Sequence, residues 1–202
     1  MHDLSPFFET AIYPLFDLTD EEKEILLAEA KIQHLESNSY IIRENSKADN
    51  LLFLQKGVVR SFYVKDHREI NTEFFFEHDF FTALTSYLTG EKTSLNFQCL
   101  EASEIIVLPK IVTDRFLKDP KWHQFMNQIL AKEFIKKCRR ESSFLLQDSY
   151  ERYLYFLEQF PHSENRIPLF HIASYLGMSP ETLSRIRSKK LRPIDLSQVN
   201  RI

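Results

Sequence analysis

The sequence predicts an α+β fold: an N-terminal β-rich domain, then a long helix, then a C-terminal helix-turn-helix. Three observations predict this order. Residues 32–108 alternate short β-prone segments with polar turns. Residues 121–160 contain neither Pro nor Gly and repeat apolar side chains at helical spacing. Residues 167–190 have the spacing of two short helices joined by a tight turn.

Glycine is rare in this chain of 202 residues. There are 3 Gly beside 18 Phe, whereas average usage would give roughly 14 glycines. Phosphate-binding loops of the Walker type and dinucleotide-binding turns each need two or three glycines in one short stretch. Gly57, Gly90 and Gly177 are too far apart for either, so both kinds of site are excluded.

The N-terminal residues lack a basic leader and a small-residue cleavage site, and no run of about 18 apolar residues occurs. The chain is therefore expected to be cytoplasmic. Cys99 and Cys138 are isolated and lie far from any histidine pair, which argues against zinc and iron-sulfur sites and leaves no cofactor or metal to expect. A disulfide between them stays open, although a chain without an export signal disfavours it.

No catalytic pattern is present, and an enzyme is not predicted. None of the histidines stands in a Ser-His-Asp, H-E-x-x-H or Cys-His arrangement. They are His2, His34, His67, His78, His123, His162 and His171.

Charge divides the chain in two. Residues 1–119 carry 12 Lys and Arg against 21 Asp and Glu, whereas residues 120–202 carry 14 against 8. A basic C-terminal part joined to an acidic N-terminal part suggests that the C-terminal end binds a polyanion. A solvated helix face would give the same count, so charge alone leaves both interpretations open.

The first elements follow from local signals. Thr19 and Glu22 have the spacing of a capping box and predict an amphipathic helix over residues 19–31. The β-prone segments that follow, at roughly ten-residue spacing, predict a sandwich or barrel. Gly57 is expected to form a tight hairpin between two of them. The segments are YII at 40–42, LLFL at 51–54, VVRSFYV at 58–64, INTEFFF at 70–76 and EIIVL at 104–108.

The breaker-free stretch from Pro120 predicts a helix of about 25 residues, which is long for a globular protein. Such a helix either lies in a large core or pairs with a second copy of itself, and we favour the pair. Five residues have the alternating steps of four and three of a helix-pair seam: Ala131, Ile135, Cys138, Ser142 and Leu145. Asp148 and Glu151 form a second capping pattern, so a new helix is expected there, with a hinge at 146–148.

Residues 167–190 predict the helix-turn-helix. Ala173 is small enough for a second helix to cross over it, and Gly177, four residues later, suits a left-handed turn. Ser179 and Pro180 are suited to the cap and first position of the second helix. The apolar side of the pair is completed by Ile172, Leu176, Met178, Leu183 and Ile186.

The second helix should expose side chains that can bind base edges and phosphates. Arg can bind guanine at two atoms, and Glu can accept from cytosine N4. A plain helical hairpin with a polar outer face is the alternative. The candidate DNA-binding residues are Ser179, Glu181, Thr182, Ser184, Arg185, Arg187, Lys189 and Lys190.

Taken together, the chain resembles the Crp/Fnr family of bacterial transcription regulators. The segment NLLFLQKGVVRSFYV is similar to the family's L-x-x-(I/L)-x-x-G-x-(V/A) hairpin. ASYLGMSPETLSRI is similar to its A-x-x-L-G-x-S-x-E-T-(V/L)-x-R-(I/L) helix-turn-helix. The resemblance implies a cyclic-nucleotide-binding-like jelly roll over 1–119, a dimerisation helix over 120–147 and a winged-helix type of helix-turn-helix over 148–202. It also implies that DNA is recognised by Ser179, Glu181, Thr182 and Arg185.

The sequence departs from the family in the effector cassette. Cyclic-nucleotide binders have Gly-Glu and Arg at positions that hold the ribose and the phosphate; here Thr82 and Ala83 replace Gly-Glu, and Thr93 replaces Arg. Thr93, Ser94 and the backbone offer no cation, and Lys92 is shifted by one residue. A closed phosphate site needs a cation or several N–H donors. We therefore expect neither cAMP nor cGMP to bind tightly.

Two further departures from the family lie at the start of the second helix of the helix-turn-helix and in the tail that follows it. Pro180 stands where well-known members carry a base-reading Arg, so their operator is not transferred. The tail LRPIDLSQVNRI is too short for a full wing and predicts a single strand at most. In the N-terminal domain, five phenylalanines near the cassette predict either an apolar, aromatic pocket or, as we favour, an ordinary hydrophobic core. They are Phe74, Phe75, Phe76, Phe80 and Phe81.

The function expected from this reasoning is a dimeric, DNA-binding transcription regulator that does not respond to cAMP. RNA polymerase is a possible partner, and an unknown small-molecule effector is possible. The alternative is a ligand-binding sensor whose helix-turn-helix is only structural.

Overall fold

The computed structural model describes residues 4–161 and 163–190. The α-helices are α1 Ser5–Phe7, α2 Asp20–Glu29, α3 Leu84–Thr89, α4 Lys110–Phe116, α5 Pro120–Leu146, α6 Ser149–Gln159, α7 Leu169–Tyr175 and α8 Pro180–Lys190. A π-helical turn spans Phe8–Ile12, and a 3₁₀ turn spans Ser163–Asn165. The strands are β1 Lys31–Leu35, β2 Tyr40–Ile42, β3 Asn50–Lys56, β4 Val59–Lys65, β5 Arg68–Phe75, β6 Phe80–Phe81, β7 Asn96–Cys99 and β8 Ser103–Pro109.

The chain divides into two compact units, one up to residue 139 and one from residue 140 onward. The first unit contains all eight strands found among the described residues, in two four-stranded antiparallel sheets with the orders β1-β8-β3-β6 and β2-β7-β4-β5. Two facing sheets of this kind are the jelly-roll solution to burying one face of each sheet. The predicted α+β fold class and its N-terminal jelly roll are confirmed.

Phenylalanine fills the core of the first unit. Phe75, Phe81 and Phe97 stack on one another, with ring centroids 5.2 Å apart for Phe75 and Phe81 and 5.9 Å for Phe75 and Phe97. Buried aromatic pairs add contact energy to their burial of apolar area. Phe74 is also buried, so most of the phenylalanines near the cassette are core residues, as we favoured.

Gly57 does not turn a hairpin, and that prediction is wrong. β3 pairs with β6 and β8, whereas β4 pairs with β5 and β7, so the chain changes sheets between β3 and β4. Gly57 lies at this corner with φ of 113°, and a Cβ there would overlap Ser103. The position needs glycine for its left-handed backbone and for this close approach.

The Thr19–Glu22 capping box is confirmed, and it also anchors the long helix. The Thr19 backbone N–H donates to Glu22 (2.8 Å), and the Glu22 N–H donates to the Thr19 hydroxyl (3.2 Å). Glu22 further accepts from Lys121 Nζ and Trp122 Nε1, each at 2.6 Å. Burial alone would raise the pKa of Glu22, but these hydrogen bonds together hold it at about 2.

The two alternatives for the long helix apply to different parts of it. At its start, Trp122, Phe125 and Met126 are buried in the core, and Trp122 stacks on Phe116 with centroids 4.5 Å apart. Later turns expose large apolar side chains, among them Phe134 at 68% and Leu145 at 76%. Core packing therefore explains only the first turns of α5.

The second unit begins with the end of α5 and continues with short helices. Asp148 caps α6: its carboxylate accepts from the N–H groups of Tyr150 (2.8 Å) and Glu151 (2.9 Å). Glu151 in return accepts from the Asp148 N–H at 2.9 Å. The predicted break between α5 and α6 is confirmed; whether it acts as a hinge stays a prediction.

Two other observations concern the whole described chain. No helix within it is long and apolar enough to cross a membrane, and the cytoplasmic location stays a prediction. Cys99 is a buried free thiol and Cys138 an exposed one, so the disulfide left open above does not form. The tail proposed as a shortened wing, residues 191–202, lies outside the described residues.

Candidate nucleic-acid interface and ligand cavity

The turn between α7 and α8 is a Schellman motif built on Gly177. The Gly177 N–H donates to the Ser174 carbonyl (3.2 Å), and the Met178 N–H donates to the Ala173 carbonyl (3.0 Å). These bonds satisfy the last carbonyls of α7 and require a left-handed residue at Gly177, whose φ is 66°. A Cβ at Gly177 would also lie 2.6 Å from Cε1 of Phe144.

We expect Gly177→Ala to destabilise the helix-turn-helix by about 1–2 kcal/mol because alanine resists this backbone conformation. The displaced Phe144 ring adds to that cost. Thermal unfolding followed by circular dichroism would measure it. Gly90→Ala is a matched control: Gly90 is also left-handed, with φ of 74°, but nothing lies within 4 Å of its added Cβ. Equal losses of stability in the two variants would contradict a role for the Phe144 contact.

α8 is fixed by its cap and by its apolar side. The Thr182 N–H donates to the Ser179 hydroxyl at 3.2 Å, which is the N-cap bond that the sequence predicted. Leu183 and Ile186 are buried, as are Ile172, Ala173 and Leu176. With that side packed against the body of the unit, the opposite side of α8 is solvated.

The structure places most of the candidate DNA-binding residues on that solvated side. Ser179, Glu181, Ser184 and Arg185 are exposed, and Thr182 is half-buried. Arg185 has a long hydrogen bond, Nη2 to the Thr182 hydroxyl at 3.4 Å, so its guanidinium stays available. The hydrogen bond from the Ser179 hydroxyl lowers the pKa of Glu181, which is therefore an acceptor at neutral pH.

Arg187 differs from the other candidates. Its Nε lies 2.9 Å from Oε1 of Glu164, and the Tyr153 hydroxyl donates to the same carboxylate at 2.5 Å. Burial and the hydrogen bond to Glu164 raise the pKa of Tyr153 to about 12, so the phenol stays a donor. Arg187 thus ties α8 to the body of its unit. The side chains of Lys189 and Lys190 lie outside the described residues.

A groove of about 440 Å³ borders α8, and no sequence pattern predicted it directly. Thr182, Arg185 and Ile186 form one wall, and the start of α6 forms the other. The α6 wall consists of Asp148, Ser149 and Tyr150. The capping pattern at Asp148 could have located the helix start, but not its approach to α8.

The predicted effector cassette comes together in the first unit. Thr82, Ala83, Thr93 and Ser94 all line one cavity of about 280 Å³. Thr82 and Thr93 are nearly buried, and Ser94 is exposed. The Thr82 hydroxyl donates to the Asn50 carbonyl at 2.9 Å, so it holds the strands together as well as lining the cavity.

The cavity is more polar than the apolar, aromatic pocket offered as one alternative. Phe75 and Phe97 line it, but so do hydroxyl and charged side chains that sequence reasoning did not connect with it. Lys92, which we discounted as shifted by one residue, reaches the lining. Three other charged groups were missed: Glu73 of β5, and Glu133 and Lys137 of α5.

Glu73 has an unusual environment. Burial raises its pKa to about 7; Lys136 and Lys137 oppose this rise and Glu133 adds to it. Glu133 is itself paired with Lys136, Nζ to Oε1 at 3.0 Å. Near neutral pH the Glu73 carboxyl is therefore present both as the ionised carboxylate, which accepts hydrogen bonds, and as the protonated acid, which can also donate one.

The five seam residues of α5 all lie at the surface: Ala131, Ile135, Cys138, Ser142 and Leu145 are each exposed. Phe134 and Leu146 are also exposed, at 68% and 82%. At about 100° per residue these two lie within about 60° of the seam centre, one on each side. The sequence pattern found the middle of an apolar stripe that is wider than the seam itself.

Comparison with known proteins connects these features. Residues 32–119 match the family model of the cyclic nucleotide-binding domain. The solved structure of FixK2 from Bradyrhizobium japonicum is 18% identical, with a TM-score of 0.70, covering 79% of this chain and 83% of that one. A Crp/Fnr family regulator from Eubacterium rectale is 19% identical, with a TM-score of 0.67, covering 87% and 85%.

A third solved structure is the c-di-GMP responsive regulator CLP of Xanthomonas campestris. It is 16% identical, with a TM-score of 0.67, covering 85% of this chain and 91% of that one. No curated protein sequence matches the chain significantly. At these identities, the solved structures establish the fold.

Proposed function

Because the chain has the Crp/Fnr fold, with a cyclic nucleotide-binding domain over residues 32–119, we propose that it is a dimeric, sequence-specific DNA-binding transcription regulator. It is a regulator and not an enzyme. The observation that carries this proposal is α8: a capped helix whose apolar side is buried and whose outer side presents Glu181, Ser184 and Arg185.

The outer side of α8 suits the major groove of DNA, which is wide enough for one helix. Arg185 can bind guanine with two hydrogen bonds, and Glu181 can accept from cytosine. Ser179 and Thr182, at the start of the helix, are placed for phosphates or bases. Arg187 supports the helix through Glu164 and is a positioning residue in this proposal.

Dimerisation is supported by the exposed stripe on α5. A soluble protein rarely leaves a row of large apolar side chains in water, and such rows mark interaction surfaces. The steps of four and three along the seam suit a second copy of the same helix. Two copies would present two α8 helices to a two-fold symmetric site.

The effector is proposed not to be cAMP. The cassette carries Thr82, Ala83 and Thr93 in place of the family's Gly-Glu and Arg, and Glu73 and Glu133 bring acid groups into the same cavity. Lys92 and Lys137 favour an anionic group, but neither forms the bidentate contact that Arg makes with phosphate. A different small molecule, and RNA polymerase as partner, complete the proposal.

The test is selection of duplexes from a random DNA library by the purified full chain, followed by fluorescence anisotropy. We expect enrichment of two-fold symmetric sites with half-sites about 34 Å apart. We also expect affinity to fall steeply with salt. A library that stays unenriched would reject the proposal and leave the structural helix-turn-helix, attached to a ligand sensor, as the function.

A further inference from the structure

The cavity of the first unit contains a half-buried carboxyl group with few partners. Glu73 lies on β5, and its carboxylate accepts one hydrogen bond within the described residues, from the Phe74 N–H at 3.3 Å. It has no ion pair within 4.0 Å there, whereas Glu133 nearby is paired with Lys136. Partial burial with a single, long hydrogen bond makes this carboxyl group costly to ionise.

Two lysines line the same cavity and are also unpaired. Lys92 comes from the loop before β7, and Lys137 comes from α5. Both are exposed, and neither forms a salt bridge with another described residue. The cavity thus presents a carboxyl group from its sheet wall and two ammonium groups from its loop and helix walls.

This arrangement favours a ligand that carries both signs of charge. A purely anionic ligand would satisfy the lysines but would require Glu73 to stay protonated, whereas a purely cationic ligand would leave both lysines without a partner. Burying a polar group without its partner is unfavourable in either case. A volume of about 280 Å³ limits the ligand to a small molecule.

We propose that this cavity binds a small zwitterion with an ammonium group and a carboxylate, of the free amino acid type. Glu73 holds the ammonium group, and Lys92 and Lys137 hold the carboxylate. The proposal deepens the proposed function, on which it rests, by naming the chemical class of the effector. Because Glu73 and Lys137 lie on β5 and α5, the ligand would bridge the sheet and the long helix.

Binding should depend on pH in a defined direction. The groups that face Glu73 are Glu133, Lys136 and Lys137 of α5 and the Phe74 N–H of its own strand. A ligand ammonium needs the ionised carboxylate, so affinity should rise as the pH increases through about 7. Without ligand, the stability of the protein should depend on pH in the opposite direction. Because folding raises the pKa of Glu73 from 4.5 to about 7, the free energy of unfolding should fall as the pH increases between these two values.

The experiment uses the full chain without DNA. Each of the twenty L-amino acids and γ-aminobutyrate is tested as a probe by thermal shift, with cAMP and cGMP as comparison ligands, and every compound that shifts the transition is then titrated by calorimetry. We expect at least one probe to bind, with its decarboxylated and its N-acetylated analogues at least tenfold weaker. In Glu73→Gln the affinity should fall at least tenfold and lose its pH dependence.

Two controls keep the outcome decisive. Glu36→Gln removes an exposed carboxylate of the same unit and should leave affinity unchanged. Lys137→Met gives a second route to the same loss if Glu73→Gln folds poorly. The proposal is overturned if every probe fails, if only a cyclic nucleotide binds, or if Glu73→Gln binds as tightly as the parent. A failure of DNA binding would not change these results.

Discussion

Arg185→Ala is expected to weaken binding to the selected duplex by about tenfold to a hundredfold, the usual loss for a guanine-reading arginine. Arg185 is exposed on the outer side of α8, and its long contact with Thr182, at 3.4 Å, costs little to give up on binding. Its removal should therefore reduce affinity without unfolding the helix.

The loss should also be sequence-dependent. If Arg185 reads a base, the variant should lose discrimination at one position of each half-site and keep it elsewhere. If Arg185 contacts only phosphate, affinity should fall evenly for all sequences and the salt dependence should become shallower. Anisotropy titrations on single-substitution duplexes at two salt concentrations separate these outcomes.

Arg68→Ala is the matched control, since it removes one exposed positive charge from the first unit. It should change DNA affinity by less than about twofold, because an exposed charge outside the interface contributes little. Unchanged affinity in Arg185→Ala would show that α8 is not the recognition helix. An Arg185→Ala effect no larger than that of Arg68→Ala would mean the same.

The elements that the sequence predicted well are those with local causes. The capping boxes at Thr19 and Asp148 need only residues three positions apart, and the turn at Gly177 needs only its own φ and two backbone bonds. Their signals survive folding because nothing distant competes with them. The corner at Gly57 is different: its glycine was recognised, but the pairing of the two flanking strands is decided by partners farther along the chain, in β6, β7 and β8.

Only part of the cavity lining was predicted from the sequence, for the same reason. Thr82, Ala83, Thr93 and Ser94 belong to one contiguous cassette, so the sequence placed them together. Glu73 and Lys137 reach the cavity from a strand and a helix more than sixty residues apart, and no local pattern links them. A signal did exist in α5, where Glu133 and Lys137 stand four residues apart and share a helix face, but it does not indicate which face meets the sheet.

Leu145→Glu is expected to convert the dimer to a monomer and to weaken DNA binding by about a hundredfold or more. Leu145 is 76% exposed in the single chain, so the substitution should not disturb the fold of that chain. In a symmetric helix pair, however, it would place two carboxylates close together at an apolar seam. A monomer binds one half-site and loses the effective concentration that links two binding events.

Sedimentation and anisotropy on the same samples measure both effects. Leu88→Glu is the control, because Leu88 is also exposed, at 55%, but lies on α3.

Cys138 tests whether the two paired helices are parallel. If the helices are parallel, Cys138 meets its own copy, and mild oxidation with oxidised glutathione should join two chains with Cα atoms about 6 Å apart. Cys138→Ser should abolish the cross-link, and Leu145→Glu should reduce it. A monomeric parent chain, or a cross-link that persists in Cys138→Ser, would place the interface away from this stripe.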